Sequence, residues 1–257
     1  MAEAGGELLR ELRQLGVRLS LQAGDLKISA PRGLLGPELQ ARIKAAKAEL
    51  IQALSAETAP ALSVFFFGTE SGSAQGEKYR LLLEAAEFAD RAGFAGIWTP
   101  ERHFHDLGGP FPAPAVLAAA LAMRTTRIKL RAGSVVLPLQ DPIRVAEDWA
   151  VVDNLSQGRV ELSFASGWHA NDFALAPDDY PGRQALMYKR IGQVRALWRG
   201  DALSRRSGAE TLQVKTFPRP LQPELPLWLT AIGNPASYRR IGQTGAHLLT
   251  ALLDQSI

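Results

Sequence analysis

The stretch GIWTPERHFHDLGGPFP, residues 96–112, decides how the rest of the chain is interpreted. Its apolar residues 96–98 stop at Thr99-Pro100, and a glutamate, an arginine and two histidines follow in a Gly/Pro-rich loop. Where strands alternate with helices, the loop after a strand is where polar groups gather around a ligand. The stretch therefore predicts a buried strand whose end faces a functional site; the alternative is a polar loop with incidental histidines.

Strand and helix patterns alternate on both sides of this stretch. Strand-like apolar runs occupy residues 62–67, 96–98, 128–137, 159–166, 225–231 and 246–253, and helix patterns occupy 77–91, 115–123, 142–155, 184–198 and 235–243. This alternation predicts an α/β fold with a parallel sheet covered on both faces. A closed barrel of eight units takes about 250 residues. Because the chain stops after the sixth strand, we expect an open sheet or, preferably, a barrel truncated after about six units.

The first 56 residues have a different pattern and predict a small α+β domain. Leucines at helical spacing in residues 7–15 are followed by Gly16, which is typical of a helix end. Alternating apolar residues in 17–30, around a turn at 22–25, predict a hairpin, and residues 38–54 predict a second helix. We expect residues 57–61 to be a linker and residues 62–257 to be the second domain.

Composition excludes several classes of function. The chain has no cysteine, which rules out disulfides and thiolate zinc sites, and its net charge of +3 is too small to argue for nucleic-acid binding. No apolar run approaches the roughly 18 residues of a membrane span, and the acidic N-terminus is unlike a signal peptide. We therefore expect a cytoplasmic protein that binds neither membrane nor nucleic acid. A G-x-G-x-x-G nicotinamide fingerprint is also missing from the sequence.

Three further segments at predicted strand ends carry small or polar residues. They are Ala132-Gly133-Ser134, then Ser166-Gly167-Trp168-His169, and finally Gly233-Asn234 with Ser237. A flat ring can lie against backbone that lacks large side chains, and a helix N-terminus such as that after Asn234 can bind phosphate. Turn formation by the glycines and plain capping by Asn234 or Ser237 are the alternatives at each segment.

These segments resemble two known families. Residues 62–257 are similar to the luciferase-like, flavin-dependent monooxygenases, and in particular to the subgroup embedded in nonribosomal peptide and polyketide synthases. Residues 6–54 resemble the TubC-type N-terminal docking domains of such synthases. The first resemblance implies a (β/α)8 barrel that uses reduced FMN, delivered by a separate reductase, and O2. The second implies a dimeric adaptor that captures the tail of an upstream subunit along its hairpin edge, and together they imply a carrier-protein-bound acyl or aminoacyl substrate.

The resemblance to the oxygenases also implies roles for individual residues. His103, supported by Glu101, would lie near the reacting edge of the flavin and move a proton or stabilise activated oxygen. His105 and His169 would line the substrate pocket, and which of His103 and His105 lies closer to the flavin stays open. The implied cofactor-binding residues are Ala132, Gly133, Ser134, Arg159, Ser166, Gly167, Trp168, Gly233, Asn234 and Ser237.

Three other interpretations are possible. The pair His103 and His105, with His169 and His247, could hold a hydrolase metal, but His247 starts its strand and so belongs to the opposite rim. We therefore predict no metal site. Alternatively, the docking unit is the functional part and the barrel an inactive fragment. A deazaflavin that transfers hydride without oxygen is a minor third option.

Overall fold

The structure, a computed structural model, describes residues 2–22, 24–31, 33–58, 60–71 and 76–251. The chain forms two compact units, residues 1–61 and 62–257. Among the described residues, no helix is both long and apolar enough to cross a membrane.

The first unit packs three helices against a hairpin around buried leucines such as Leu9, Leu12 and Leu50. The predicted helix over 38–54 is interrupted at Ala46, although hydrogen bonds from Ala46 N to Arg42 O (3.0 Å) and from Leu50 N to Ala46 O (2.9 Å) continue across the break. The last helix reaches Thr58 and so includes the start of the predicted linker. The elements are α1 (Ala2–Gln14), β1 (Arg18–Gln22), β2 (Asp25–Ser29), α2 (Pro37–Ala45) and α3 (Lys47–Thr58).

The second unit follows the predicted alternation of strands and helices. Its strands in chain order are β3 (Ser63–Phe65), β4 (Gly96–Thr99), β5 (Lys129–Val136), β6 (Val160–Ala165), β7 (Leu203–Ser207), β8 (Glu210–Val214), β9 (Leu227–Thr230) and β10 (His247–Leu249). Its helices are α4 (Arg80–Ala92), α5 (Pro114–Ala122), α6 (Pro142–Ser156), α7 (Arg183–Arg199) and α8 (Pro235–Thr244).

Six of these strands form one parallel sheet in the order β10-β9-β6-β5-β4-β3. Apart from the inserted hairpin β7–β8, each strand therefore lies beside the next one in the chain, without the reversal that defines a doubly wound sheet. Sequential order with helical crossovers is the arrangement of a (β/α) barrel. Within the part of this unit that the structure describes, six such strands are connected by five helices, which confirms the predicted α/β class and barrel-type order.

The two faces of this sheet differ in chemistry. Ile97, Leu130, Leu162 and Leu229 are buried on the face that packs against the helices. Because side chains alternate along a strand, the intervening residues point to the opposite face. These intervening residues are aromatic or charged as well as small, namely Phe65, Trp98, Arg131, Gly133, Glu161, Ser163 and Trp228. Helices thus pack on one face, whereas the sequence pattern predicted cover on both.

The second unit differs from the prediction in two places. The hairpin β7–β8 was not predicted, because its strands are mostly exposed and polar. The segment 132–134 does not follow its strand but lies within β5, whose register shifts between Gly133 and Val135. The peptide bond between Gly133 and Ser134 is cis.

Candidate active site

The loop after β4 is organised by Glu101, whose carboxylate is buried at the carboxyl end of the sheet. Its Oε2 accepts a hydrogen bond from Val136 N at the end of β5 (2.7 Å), and its Oε1 accepts one from Gln140 Nε2 (2.6 Å). The same Oε1 lies 3.1 Å from His103 Nε2. A carboxylate with this many donors is fixed in place. Glu101 therefore joins two neighbouring strands and positions His103.

His103 is the reactive group that this arrangement presents. Its side chain keeps 12% of its surface exposed, whereas that of Glu101 is fully buried. A carboxylate accepts hydrogen bonds, so the Glu101 contact places the proton on Nε2 and leaves a lone pair on Nδ1 in the neutral ring. Among the described residues, none hydrogen-bonds to that nitrogen. His103 can therefore exchange a proton with a bound molecule.

His105 lies in a different group of side chains, with residues from the loop after β6. Its Nε2 is 3.1 Å from His169 Nδ1 and 3.8 Å from Asp172 Oδ1. Burial lowers the pKa of His105, with the charges of Arg102 and His169 acting in the same direction and Asp172 opposing them. The other oxygen of Asp172, Oδ2, accepts a long hydrogen bond of 3.5 Å from Arg102 Nη1. His105 and His169, predicted to share a pocket, are thus brought into contact.

Hydroxyl groups cluster on the inner face of the sheet. Ser134 Oγ contacts Thr230 Oγ1, and Ser163 Oγ lies 2.8 Å from the same Thr230 atom and 3.4 Å from Ser134 Oγ. Next to them, a Cβ on Gly133 would come within 2.8 Å of Phe65 and 2.9 Å of Trp98. Gly133 is therefore needed because two rings of the protein itself lie against it. Ser134 is the member of its predicted segment whose polar atom faces this cluster.

A cleft of about 180 Å³ brings together three other predicted residues, Ser166, Asn234 and Ser237. It also contains Arg240, whose guanidinium carbon lies 3.6 Å from the ring centroid of Tyr188. Cation–aromatic contact holds the arginine at the wall of the cleft. One cation and several hydroxyl and amide groups are suitable donors for a phosphate. Arg240 was not predicted, because only the packing of α8 beside α7 brings it to this cleft.

The start of α8 itself is already capped. Asn234 Oδ1 accepts from Ala236 N at 2.9 Å and from Ser237 N at 3.4 Å. Gly233, at a φ of +70°, donates its N–H to Tyr238 Oη at 2.7 Å. The capping alternative raised for Asn234 is therefore what the structure shows. A phosphate in this cleft would be bound by Arg240 and the serine hydroxyls rather than by free N–H groups of the helix.

The side chains of two predicted cofactor residues lie away from these groups. Arg159 precedes β6 at the amino end of the sheet, where its guanidinium donates to carbonyl groups of Ala122, Thr125, Ile128 and Ser156 at 2.6–3.1 Å. Burial lowers the pKa of Arg159, and the charge of Asp90 opposes that shift. The side chain of Ala132 is fully buried in the core beneath the helices. Arg159 connects residues 122–128 to residue 156, and Ala132 fills the core. Neither side chain faces the cleft or the hydroxyl cluster.

The loop after β6 presents Trp168 at the surface. The residue is 76% exposed, and the Arg102 guanidinium lies 4.8 Å from the centroid of its ring. Gly167, at a φ of +76°, is closely surrounded, because a Cβ there would come within 2.7 Å of Phe173. This glycine allows the chain to turn so that Trp168 projects outward. An exposed tryptophan beside a site is suited to contact with a substrate.

A charged and aromatic cluster on the inner face was also missed. Arg131 Nε donates to Glu161 Oε2 (2.7 Å), and its guanidinium lies 5.1 Å and 5.2 Å from the ring centroids of Trp98 and Trp228. Trp228 Nε1 donates to the same Glu161 oxygen at 3.1 Å. Alternation within β5 and β6 could have indicated an inward-facing arginine and glutamate. These rings form an aromatic floor on the inner face, where Trp228 is paired in register with Ser163 of the hydroxyl cluster.

Comparison with known proteins identifies relatives of both units. Residues 61–256 match the luciferase-like monooxygenase family, and residues 6–55 match the TubC N-terminal docking domain. These matches confirm the resemblance to the luciferase-like monooxygenases and to the TubC-type docking domains. The narrower resemblance to the subgroup embedded in synthases stays a prediction.

The curated relatives include enzymes that use different flavin-type cofactors. The oxygenase component of a flavin-dependent trigonelline monooxygenase from Acinetobacter baylyi is 30% identical over 68% of this chain and 49% of its own. An F420-dependent glucose-6-phosphate dehydrogenase from Amycolatopsis mediterranei is 31% identical over 65% of this chain and 51% of its own. The chain spans about half the length of these curated relatives.

Among solved structures, the monooxygenase RslO1 from Streptomyces bottropensis superposes with a TM-score of 0.67 at 27% identity. The superposition covers 74% of this chain and 59% of RslO1. The shared region thus includes most of the six-stranded unit.

Proposed function

Since this chain belongs to the luciferase-like monooxygenase family, we propose that it carries the oxygenase site of a flavin-dependent monooxygenase that uses reduced FMN and O2. The observation that carries this proposal is the convergence of three groups at the carboxyl ends of neighbouring strands. They are the Glu101-supported His103, the Ser134 hydroxyl cluster and the cleft that contains Arg240. When bound, reduced flavin would provide the electrons that activate oxygen.

The residues of this site fit a phosphorylated ring, with one group for the phosphate and another for the reacting part of the ring. Arg240 with the hydroxyls of Ser166 and Ser237 would bind the phosphate, because a guanidinium and hydroxyl donors match its oxygens. His103 would give or take a proton at Nδ1, and Glu101 would keep its ring oriented. The aromatic floor around Trp98 would exclude water from the reacting region.

The docking unit supports a proposal about the substrate. A TubC-type domain joined to an oxygenase unit suits a megasynthase, where the substrate is an acyl or aminoacyl group on a carrier protein. The free edges of the two-stranded sheet β1–β2 would pair with the tail of an upstream subunit. Homodimerisation and delivery of reduced FMN by a separate reductase belong to the same proposal.

Flavin binding tests the proposed site most directly. Fluorescence titration of the full chain with FMN is expected to show saturable binding that Arg240→Ala weakens by about tenfold, the value of one lost charge-assisted contact. Arg239→Ala is the matched control, because this neighbouring arginine does not line the cleft. An equal loss in both variants would contradict the assignment of Arg240.

Other outcomes of the titration would favour the alternatives. Binding of F420 in place of FMN, with substrate reduction that needs no oxygen, would favour the deazaflavin alternative that one of the relatives represents. No binding of either cofactor by this chain, but binding by a form extended through eight barrel units, would favour the view that the chain acts through its docking domain. Preference of the extended form for a free acid over the carrier-bound one would contradict the proposed substrate.

A further inference from the structure

Three side chains that flank the candidate active site have the composition of a transition-metal site. His105, His169 and Asp172 each offer one ligand atom, and these atoms all lie within 4.8 Å of one another. We propose that this trio, His105–His169–Asp172, binds a divalent transition metal such as Zn²⁺. The proposal is independent of the flavin chemistry, since none of the three residues is assigned to the flavin phosphate or to proton transfer.

The spacing of the two imidazoles fits a shared metal ion. In a tetrahedral zinc site with metal–ligand distances of about 2.0–2.2 Å, ligand atoms lie roughly 3.3–3.6 Å apart. His105 Nε2 and His169 Nδ1 are 3.1 Å apart, and the rings meet nearly edge to face at a centroid distance of 4.0 Å. The third ligand atom, Asp172 Oδ1, lies 3.8 Å from His105 Nε2, and all three ligand atoms lie within 4.8 Å of one another, so a bound ion would draw the carboxylate towards the imidazoles.

An unpartnered buried oxygen is the second, independent observation. Asp172 has a side chain that is only 3% exposed, and its Oδ1 has no hydrogen-bond partner among the described residues. A buried carboxylate oxygen without a partner carries a substantial desolvation cost. Its other oxygen receives only the long 3.5 Å contact from Arg102. A cation between Oδ1 and the two imidazoles would satisfy this oxygen.

The trio joins two separate loops. His105 belongs to the loop after β4, and His169 and Asp172 belong to the segment after β6. A bound metal would therefore connect the loop that carries His103 to the loop that presents Trp168. Two imidazoles and one carboxylate also leave a fourth position for water or another ligand.

Metal titration of the full chain tests this proposal. After treatment with a chelator, competition against a chromophoric chelator is expected to show one Zn²⁺ per chain. His105→Gln and His169→Gln should each weaken binding by at least about tenfold, as expected for the loss of one of three ligands. His103→Gln and His247→Gln are matched controls, because these histidines contact Glu101 and Trp228 instead. Their affinity for Zn²⁺ should equal that of the wild type.

Spectroscopy with Co²⁺ keeps the proposal testable if a variant fails to fold. The wild-type chain loaded with Co²⁺ should show the intense visible bands of a four-coordinate site with nitrogen and oxygen ligands. Wild-type binding no tighter than that of the double variant His105→Gln/His169→Gln would overturn the proposal. Equal loss of binding in the control variants, or only the weak bands of hydrated Co²⁺, would do the same.

Discussion

The two ends of the six-stranded sheet each contain a buried charged side chain with a full set of hydrogen bonds. The two side chains differ in the partners of those hydrogen bonds. At the amino end, Arg159 donates only to carbonyl groups and to Thr125 Oγ1, all of them structural. At the carboxyl end, Glu101 accepts from Val136 N, Gln140 and the partly exposed His103. The first network ends inside the protein, whereas the second ends at a group that a ligand can touch.

This difference shows why burial of a charge alone does not mark a functional site. A buried ion with saturated partners can serve stability, function or both. What separates the two networks is whether one member keeps a free atom at the surface. We therefore expect changes at the amino end to alter the free energy of unfolding, and changes at the carboxyl end to alter the flavin reaction.

The largest expected effect is that of Arg159→Met. The substitution leaves carbonyl groups of Ala122, Thr125, Ile128 and Ser156 without their donor. We expect the free energy of unfolding to fall by about 4 kcal/mol, because several buried carbonyl groups each lose a hydrogen-bond donor at a cost of about 1 kcal/mol or more. Denaturant unfolding followed by circular dichroism measures this change. Arg159→Lys, which keeps the charge without the planar fork, should lie between the variant and the wild type.

The affinity of the same variant for FMN decides whether Arg159 also binds the cofactor, as the family resemblance predicted. The folded fraction of Arg159→Met should bind FMN as the wild type does. A stable variant that has lost FMN binding would show instead that the predicted cofactor role of Arg159 was correct and that the comparison between the two ends fails.

The next effect belongs to the carboxyl end. We expect His103→Ala to bind FMN and unfold like the wild type, but to form oxygenated product roughly 100-fold more slowly, the usual contribution of a positioned proton donor or acceptor. Reduced flavin would then be consumed with release of hydrogen peroxide, which a peroxidase assay quantifies. Glu101→Gln tests the positioning role, since it keeps the shape but weakens the contact that orients the ring. Normal hydroxylation by His103→Ala would remove His103 from the mechanism.

Much of the fold could be predicted because the signal is local. Alternating apolar runs predicted the six strands that the described residues place in the parallel sheet. The helix pattern over 142–155 predicted α6, which begins at Pro142 after Asp141, whose Oδ1 accepts from Ile143 N at 2.8 Å. The hairpin β7–β8 gave no such signal, because residues such as Arg205 and Arg206 place no apolar face on the core. Only the turn at Ser207-Gly208 hinted at it.

The candidate site was harder to predict because its contacts join distant segments. Arg131 and Glu161 are paired by the register between β5 and β6, which sequence alone does not fix. Arg240 reaches the cleft only through the packing of α8 beside Tyr188. In contrast, the position of Arg159 as the first residue of its predicted strand already indicated the amino end of the sheet. The resemblance to the family outweighed that simple observation, and the structure gives Arg159 a network of carbonyl groups in place of an open site.

The smallest expected effect concerns Asp90, a half-buried carboxylate that forms a second network at the amino end. Burial by itself would raise the pKa of Asp90, but hydrogen bonds from the N–H groups of Thr126, Ile128 and Arg127 and from the Thr126 hydroxyl lower it to about 2. A carboxyl group whose pKa is lower in the folded state than in the unfolded state stabilises the fold above the unfolded pKa. That contribution is lost as the pH falls from about 4 towards 2.

We therefore expect Asp90→Asn to be less stable than the wild type by about 2 kcal/mol at neutral pH, with the difference shrinking below pH 4. The reason is that the carboxylate holds three backbone N–H groups just before β5, and an amide offers one acceptor oxygen instead of two. Unfolding curves at several pH values measure the difference, and Asp148→Asn on the exposed side of α6 is a control that should change little. FMN affinity at pH 7 should be equal in all three proteins. A stability difference that stays constant down to pH 2 would show that hydrogen-bond geometry, and not the ionisation of Asp90, stabilises this end of the sheet.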